Sequence, residues 1–137
     1  MNYARILLGG IVGGVAFNIV SFAINVGILG SRYAMLQEMG IFRKDPRVPF
    51  LPLWLLMLFL VSIGLVWFYA AVRPRLGPGP KTALTVGLLV GLLGALPRNF
   101  SGFAWAYTGG YLALFWTLDM VVGCMAATFV GAWLYKE

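Results

Sequence analysis

Histidine is absent from the 137-residue sequence, cysteine occurs once, and acidic residues number four. Without histidine there is no His-ligated haem, none of the usual zinc sites and no imidazole acid–base chemistry. The single cysteine, Cys124, rules out an intrachain disulfide and the two-thiol pair of a thiol-based quinone reductase. It lies inside an apolar run, where it reads as a small packing residue. Charge is scarce as well: charged residues make up 10% of the chain against 61% hydrophobic ones. Together with a mean hydropathy of +0.91, this leaves too little polar surface to coat a water-facing globule of this size, so lipid is the solvent for most of the exterior.

Four apolar runs have spanning length, since about 20 helical residues cross a hydrocarbon core of ~30 Å. They cover residues 6–28, 50–72, 82–97 and 111–135. The runs are continuously apolar rather than alternating, and unpaired strand edges find no partner in lipid, so the spans are helical. The stretch from Met1 to Ile28 resembles a secretory leader in composition, but the run is long and no small-x-small site closes it, so it reads as a retained first span.

The connections differ in kind. Arg73-Pro74-Arg75-Leu76-Gly77-Pro78-Gly79-Pro80-Lys81 reads as a tight surface turn, which makes the second and third spans an antiparallel hairpin. The first connection, residues 29–49, mixes Tyr33, Met35, Leu36, Met39, Ile41 and Phe42 with Arg32, Glu38, Arg43, Lys44, Asp45 and Arg47. That mixture suits a short interfacial helix closed by Asp45-Pro46, with an unstructured loop as the alternative. The third connection, residues 98–110, is rich in boundary aromatics: Phe100, Phe103, Trp105 and Tyr107. Here the third span either ends at Pro97 or bends there and runs on.

The net charge of +6 does not imply nucleic acid, because the basic residues flank apolar runs and form no contiguous stripe. They are headgroup anchors and topology signals. Arg5, Arg73, Arg75, Lys81 and Lys136 fall on one side, and Arg32, Arg43, Lys44, Arg47 and Arg98 on the other. The numbers tie; the compactness of the second connection favours cytoplasmic termini.

Inside the first span, Gly10, Gly14, Asn18, Ser21 and Asn25 fall within about 80° of one another at 100° per residue. Lipid cannot satisfy an asparagine, so this face points at another helix or a cavity. Gly9 with Gly13 and Gly10 with Gly14 form small-xxx-small pairs, echoed by Gly87 and Gly91 in the third span. Such spacing permits close backbone approach. The fourth span carries Asp119, the one carboxylate inside a span, with Gly123, Ala126 and Ala127 on its face. A charge there costs about 2.5–3.5 kcal/mol on insertion scales, so it calls for a partner. Arg98 is the expected one, in a cluster with Asn99, Asn25, Asn18, Ser21 and Asp119. The cluster is either a hydrogen-bonded staple that fixes helix register or a site for an ion, proton or small polar solute. Ser62 and Tyr69 can add hydroxyls to that interior. Trp54, Trp67 and Trp133 read as interface anchors.

The glycine-rich first span with Asn18, the long first connection, the Pro/Gly hairpin, Pro97-Arg98-Asn99-Phe100 and Leu118-Asp119-Met120-Val121-Val122-Gly123 resemble the layout of small bacterial four-helix integral membrane proteins of unknown function. That resemblance implies an architecture and a bacterial inner membrane, and no activity. Gly9 to Gly14 is also similar to the first helix of fluoride channels, but the second span lacks their asparagine and the third their Thr-Thr-Phe-Ser run. Small multidrug transporters carry an essential glutamate in the first span, and no acid is present there.

The expected fold is therefore all-α: four transmembrane helices in a compact bundle. The expected function is that of a non-enzymatic accessory or structural subunit, without cofactor or metal. Through Gly9, Gly10, Gly13, Gly14, Gly87, Gly91 and Gly123 it would pack within the bilayer against its own helices, a second copy or a larger complex. A small channel or transporter working around Asp119 is the alternative.

Overall fold

A computed structural model describes residues 1–136. The described residues form helices α1 (Tyr3–Phe22), α2 (Gly30–Glu38), α3 (Phe50–Leu76), α4 (Pro80–Trp105) and α5 (Gly109–Leu134), with a π-helical turn, Ala23–Ile28, prolonging α1. Four units, Tyr3–Ile28, α3, α4 and α5, are long and apolar enough to cross a membrane. The chain is a multi-pass membrane protein with an all-helical bundle.

Local chemistry sets the ends. Asn2 caps α1 by accepting the Arg5 backbone N–H at 3.1 Å, which satisfies one of the donors that a helix start leaves free. At the far end of α1 the hydrogen-bond ladder changes register. The Ala23 N–H reaches both the Ile19 and Val20 carbonyls, and Leu29 donates to Ile24, five residues back, at 3.0 Å. This widened turn, a form often found at functional sites, was not foreseen from the sequence. Leu29 keeps right-handed helical geometry, so α2 leaves the end of the first span with a single residue between them.

The residues between the first two spans thus hold a helix, α2. It is docked rather than free on the headgroups: Leu29, Leu36 and Leu112 form a buried cluster with Tyr33, Phe42 and Trp116 packed against it. Gly40, at φ +75°, ends it in a conformation glycine adopts without strain.

Arg73 to Leu76, expected as part of a turn, belong instead to α3. Pro74 sits in the last turn, where its fixed φ is already helical and one lost backbone bond is cheap. The turn proper is Gly77 to Gly79, with φ of +83° and +126° at the two glycines. It is held from inside: the Gly79 N–H donates to the Tyr69 hydroxyl at 3.1 Å, and the Thr82 hydroxyl donates to the Leu76 carbonyl at 3.2 Å. Tyr69 therefore serves the hairpin, not the cluster expected around Asp119. Ser62 likewise donates to Leu58 on its own helix at 2.8 Å.

The third span does not end at Pro97, since α4 continues through it to Trp105. α5 packs against α1, α3 and α4, and α1 packs against both α3 and α5. Two buried apolar groups fill the interior: Ile6, Val66, Tyr69, Ala70, Ala83 and Tyr135 towards the chain ends, then Phe17, Leu58, Leu65, Val86, Cys124 and Ala127 in the middle. The outside is apolar too. Leu93 is 75% and Ile19 64% exposed, as expected of lipid-facing positions.

Candidate functional site: a buried carboxylate at the end of two donor chains

The α1–α5 seam advances four residues at a time along both helices. A methyl group placed on Gly9 would lie 2.6 Å from the Gly131 carbonyl oxygen, one on Gly13 would strike the Ala127 carbonyl, and one on Gly123 would enter the Phe17 ring. On the adjoining face, Gly10 has Ile63 at 2.5 Å from such a methyl, and Gly14 meets Phe59. The α4–α5 seam repeats the device, with Gly87 against Met125 at 2.6 Å and Gly91 against Val121 at 2.7 Å. Glycine is required by proximity: at Gly9, Gly13, Gly87 and Gly91 a side chain would push backbone from backbone, and at Gly14 and Gly123 it would displace a packed phenyl ring.

One step beyond Phe17 and Gly123, the same α1–α5 seam brings Ser21 to Asp119. The carboxylate is 6% exposed and lies about 15 Å along α5 from its first residue at helical rise. Its Oδ2 accepts from the Ser21 hydroxyl at 3.2 Å and from the Asn25 amide nitrogen at 2.8 Å. Asn25 occupies the π turn, and its amide also reaches the Ser21 carbonyl at 3.0 Å. This gives a side-chain partner to a carbonyl beside the change of register.

Two chains of donors end on that oxygen. In one, the Trp116 indole donates to the Tyr33 hydroxyl at 2.6 Å, Tyr33 donates to the Asn25 side-chain oxygen at 2.6 Å, and Asn25 donates to Asp119. In the other, the Trp54 indole donates to Ser21 at 3.4 Å and Ser21 donates to Asp119. Every proton points towards the carboxylate, so the network polarises in one direction and suits an acceptor at its end. The chains draw on α1, the π turn, α2, α3 and α5. Burial pushes the Tyr33 phenol above its ordinary range; the Trp116 hydrogen bond opposes this and the charge of Asp119 adds to it. Tyr33 therefore stays a neutral donor at physiological pH.

Of the residues expected to cluster, Ser21, Asn25 and Asp119 meet. Asn18 donates to the Gly14 carbonyl of its own helix at 2.8 Å, and its side-chain oxygen is buried without a partner. Asn99 bonds Thr117 at 3.0 Å instead. Arg98 is corrected most plainly: it is exposed, and no ion pair joins it to Asp119 among the described residues. The α4–α5 seam runs through Gly87, Gly91, Ala95 and Asn99 in steps of four, and Arg98 is one residue, about 100°, off that line.

Trp54, Tyr33 and Trp116 were not assigned to the cluster from sequence. Trp67 and Trp133, at 47% and 81% exposed, do face outward; Trp54 instead stacks on Phe50 with ring centres 5.7 Å apart and turns its indole N–H inward. Trp116 lies three residues before Asp119, which was a usable signal. Tyr33 was legible only to a reader who carried the helix on through the π turn.

Beside the seam, Leu96, Asn99, Phe100, Phe103, Ala113 and Thr117 help line an open groove of about 350 Å³ between α4 and α5. Its walls are apolar, and the Asn99–Thr117 pair supplies a polar floor. Trp105 and Tyr107 stand clear beyond it at 89% and 91% exposed.

The fold and this interior define a class: a polytopic α-helical membrane protein with a carboxylate buried between its helices. Compared with protein families, curated proteins and solved structures, the chain matches none.

Proposed function

We propose that this chain is a non-enzymatic structural or accessory subunit of a cytoplasmic (inner) membrane, associating with a second copy or a larger membrane complex. The observation that carries this reading is the convergence of both donor chains on Asp119 Oδ2, which ties α1, α2, α3 and α5 at one point and suits a staple. The open α4–α5 groove with its exposed aromatic rim offers a surface for a partner helix. Both termini and the α3–α4 turn face the cytoplasm in this reading, which leaves α2 and the aromatic rim on the opposite side. The test is native mass analysis of tagged protein extracted in mild detergent from its own membrane. Co-isolated membrane subunits, or a stable homo-oligomer without ion flux in liposomes, are expected; a partner-free monomer would overturn the proposal.

A second reading, a small channel or transporter, is favoured by one observation: the Oδ1 of Asp119 and the side-chain oxygen of Asn18 are both buried without a partner. Ion flux in liposomes that is lost in Asp119→Asn, with the protein still folded, would establish it.

A further inference from the structure

We propose that the α4–α5 groove binds one anionic phospholipid of the bilayer, with an acyl chain lying in the groove and the phosphate held by Arg32. The inference goes beyond the subunit reading and does not rest on it.

The shape of the groove decides what fits inside. It opens to lipid, with Leu96 50%, Phe100 71% and Leu114 56% exposed along it. A helix with its side chains is about 10–12 Å across, wider than the 8–10 Å between packed helices, so a partner helix can lie over the groove but not fill it. A single acyl chain can, and at this depth acyl chains are the solvent. The floor adds a polar mark. Asn99 donates one amide N–H to Thr117, whose own hydroxyl is turned to the Ala113 carbonyl; the second N–H is left for a lipid ester carbonyl. At helical rise Asn99 lies about 27 Å along α4 from Lys81, close to the far edge of a ~30 Å hydrocarbon core, where the esters begin.

The charge stands at the same end. Gly110 and Phe103 close the outer end of the groove, where a methyl on Gly110 would come within 3.2 Å of the ring. Tyr111 is the next residue, about 100° around α5, and exposed Leu114 falls between the two. Over the Tyr111 ring lies the Arg32 guanidinium, 4.7 Å from its centre. Stacking uses the face of the guanidinium and leaves its N–H edge free, and that edge takes phosphate in a fork. Among the described residues Arg32 has no ion pair and no side-chain hydrogen bond to compete for it. On this side of the membrane Arg32, Arg43, Lys44, Arg47 and Arg98 outnumber Glu38 and Asp45, so a negative headgroup is favoured over a zwitterionic one.

The experiment titrates the delipidated full chain in mild detergent with phosphatidylglycerol or with phosphatidylcholine of the same acyl chains, reading bound lipid by native mass and stability by thermal unfolding. One phosphatidylglycerol is expected per chain, bound about fivefold or more tighter than phosphatidylcholine, with the unfolding temperature raised by about 4 °C or more at saturation. Arg32→Gln should erase the preference and keep the weaker binding. Ala113→Phe, which fills the groove, should weaken both lipids. Arg98→Gln should keep the preference, because Arg98 lies about 160° around α4 from both Leu96 and Phe100. Should Ala113→Phe fail to fold, the two arginine variants decide. Any of four results overturns the proposal: equal affinity for the two lipids, a preference that Arg32→Gln retains, equal losses in Arg32→Gln and Arg98→Gln, which assign the attraction to diffuse charge, or undiminished binding by folded Ala113→Phe. A partner-free monomer in the extraction experiment leaves these titrations unchanged, so the two proposals fail separately.

Discussion

The two halves of the α1–α5 seam obey one spacing and different physics. From Gly9 to Phe17 the contact is dry: Gly9 meets the Gly131 backbone, Gly13 the Ala127 carbonyl, and the Phe17 ring fills the space that Gly123 leaves. From Ser21 to Asn25 the same step of four residues brings hydroxyl and amide to a carboxylate. Where glycines permit close approach α1 is a regular helix; where polar side chains must reach across, it widens into the π turn. Dispersion contacts at short range fix the distance between the helices, and directional bonds fix their register.

The comparison breaks hardest at the dry end. Gly13→Leu should cost about 3 kcal/mol or more, because the added chain meets the Ala127 carbonyl rather than a movable side chain. The expected result is loss of the monodisperse folded species on size exclusion. At the polar end, Asp119→Leu leaves the Ser21 and Asn25 donors without their acceptor and should cost about 2 kcal/mol, read as a lowered unfolding temperature. Asp119→Asn should keep the assembly intact. Tyr33→Phe removes the link between Trp116 and Asn25 and should cost about 1 kcal/mol. Its signature is local: amide hydrogen exchange should quicken in α2 and the π turn while α4 stays protected. Smallest, and opposite in sign, is Gly64→Ala. No atom lies within 4 Å of the added methyl, so the gain in helix propensity should stabilise the protein by up to about 0.8 kcal/mol. If Gly64→Ala proved as damaging as Gly13→Leu, proximity would not be what separates the glycines.

The spans were legible because a continuous apolar run of bilayer length has few alternatives, and proline gave the least reliable boundaries. Pro74 and Pro97 both suggested breaks, and the helices pass through both. Each had a neighbouring turn of lipid-facing or interfacial residues ready to continue the ladder, and proline removes only one bond of it. In the site, Ser21, Asn25 and Asp119 could be read from helical angle and from the cost of polar groups in lipid. Arg98 was misplaced because charge complementarity says which groups should meet and nothing about which side of a helix carries them. Trp54 was misread for a related reason: a tryptophan near a span end serves equally well as an outward anchor or as an inward donor, and sequence does not record the rotamer.

To a protease, the described chain offers one generous target. The breaks between helices are a single residue at Leu29, three residues at 77–79 and three at 106–108, whereas 39–49 is an eleven-residue stretch, exposed along most of its length and carrying Arg43, Lys44 and Arg47. Such a stretch is where nicking concentrates. Trypsin added to sealed vesicles of known sidedness would therefore cut the chain near its first third only from the face that carries this stretch. That single band reports which way up the bundle sits, a question on which the tied cations are silent.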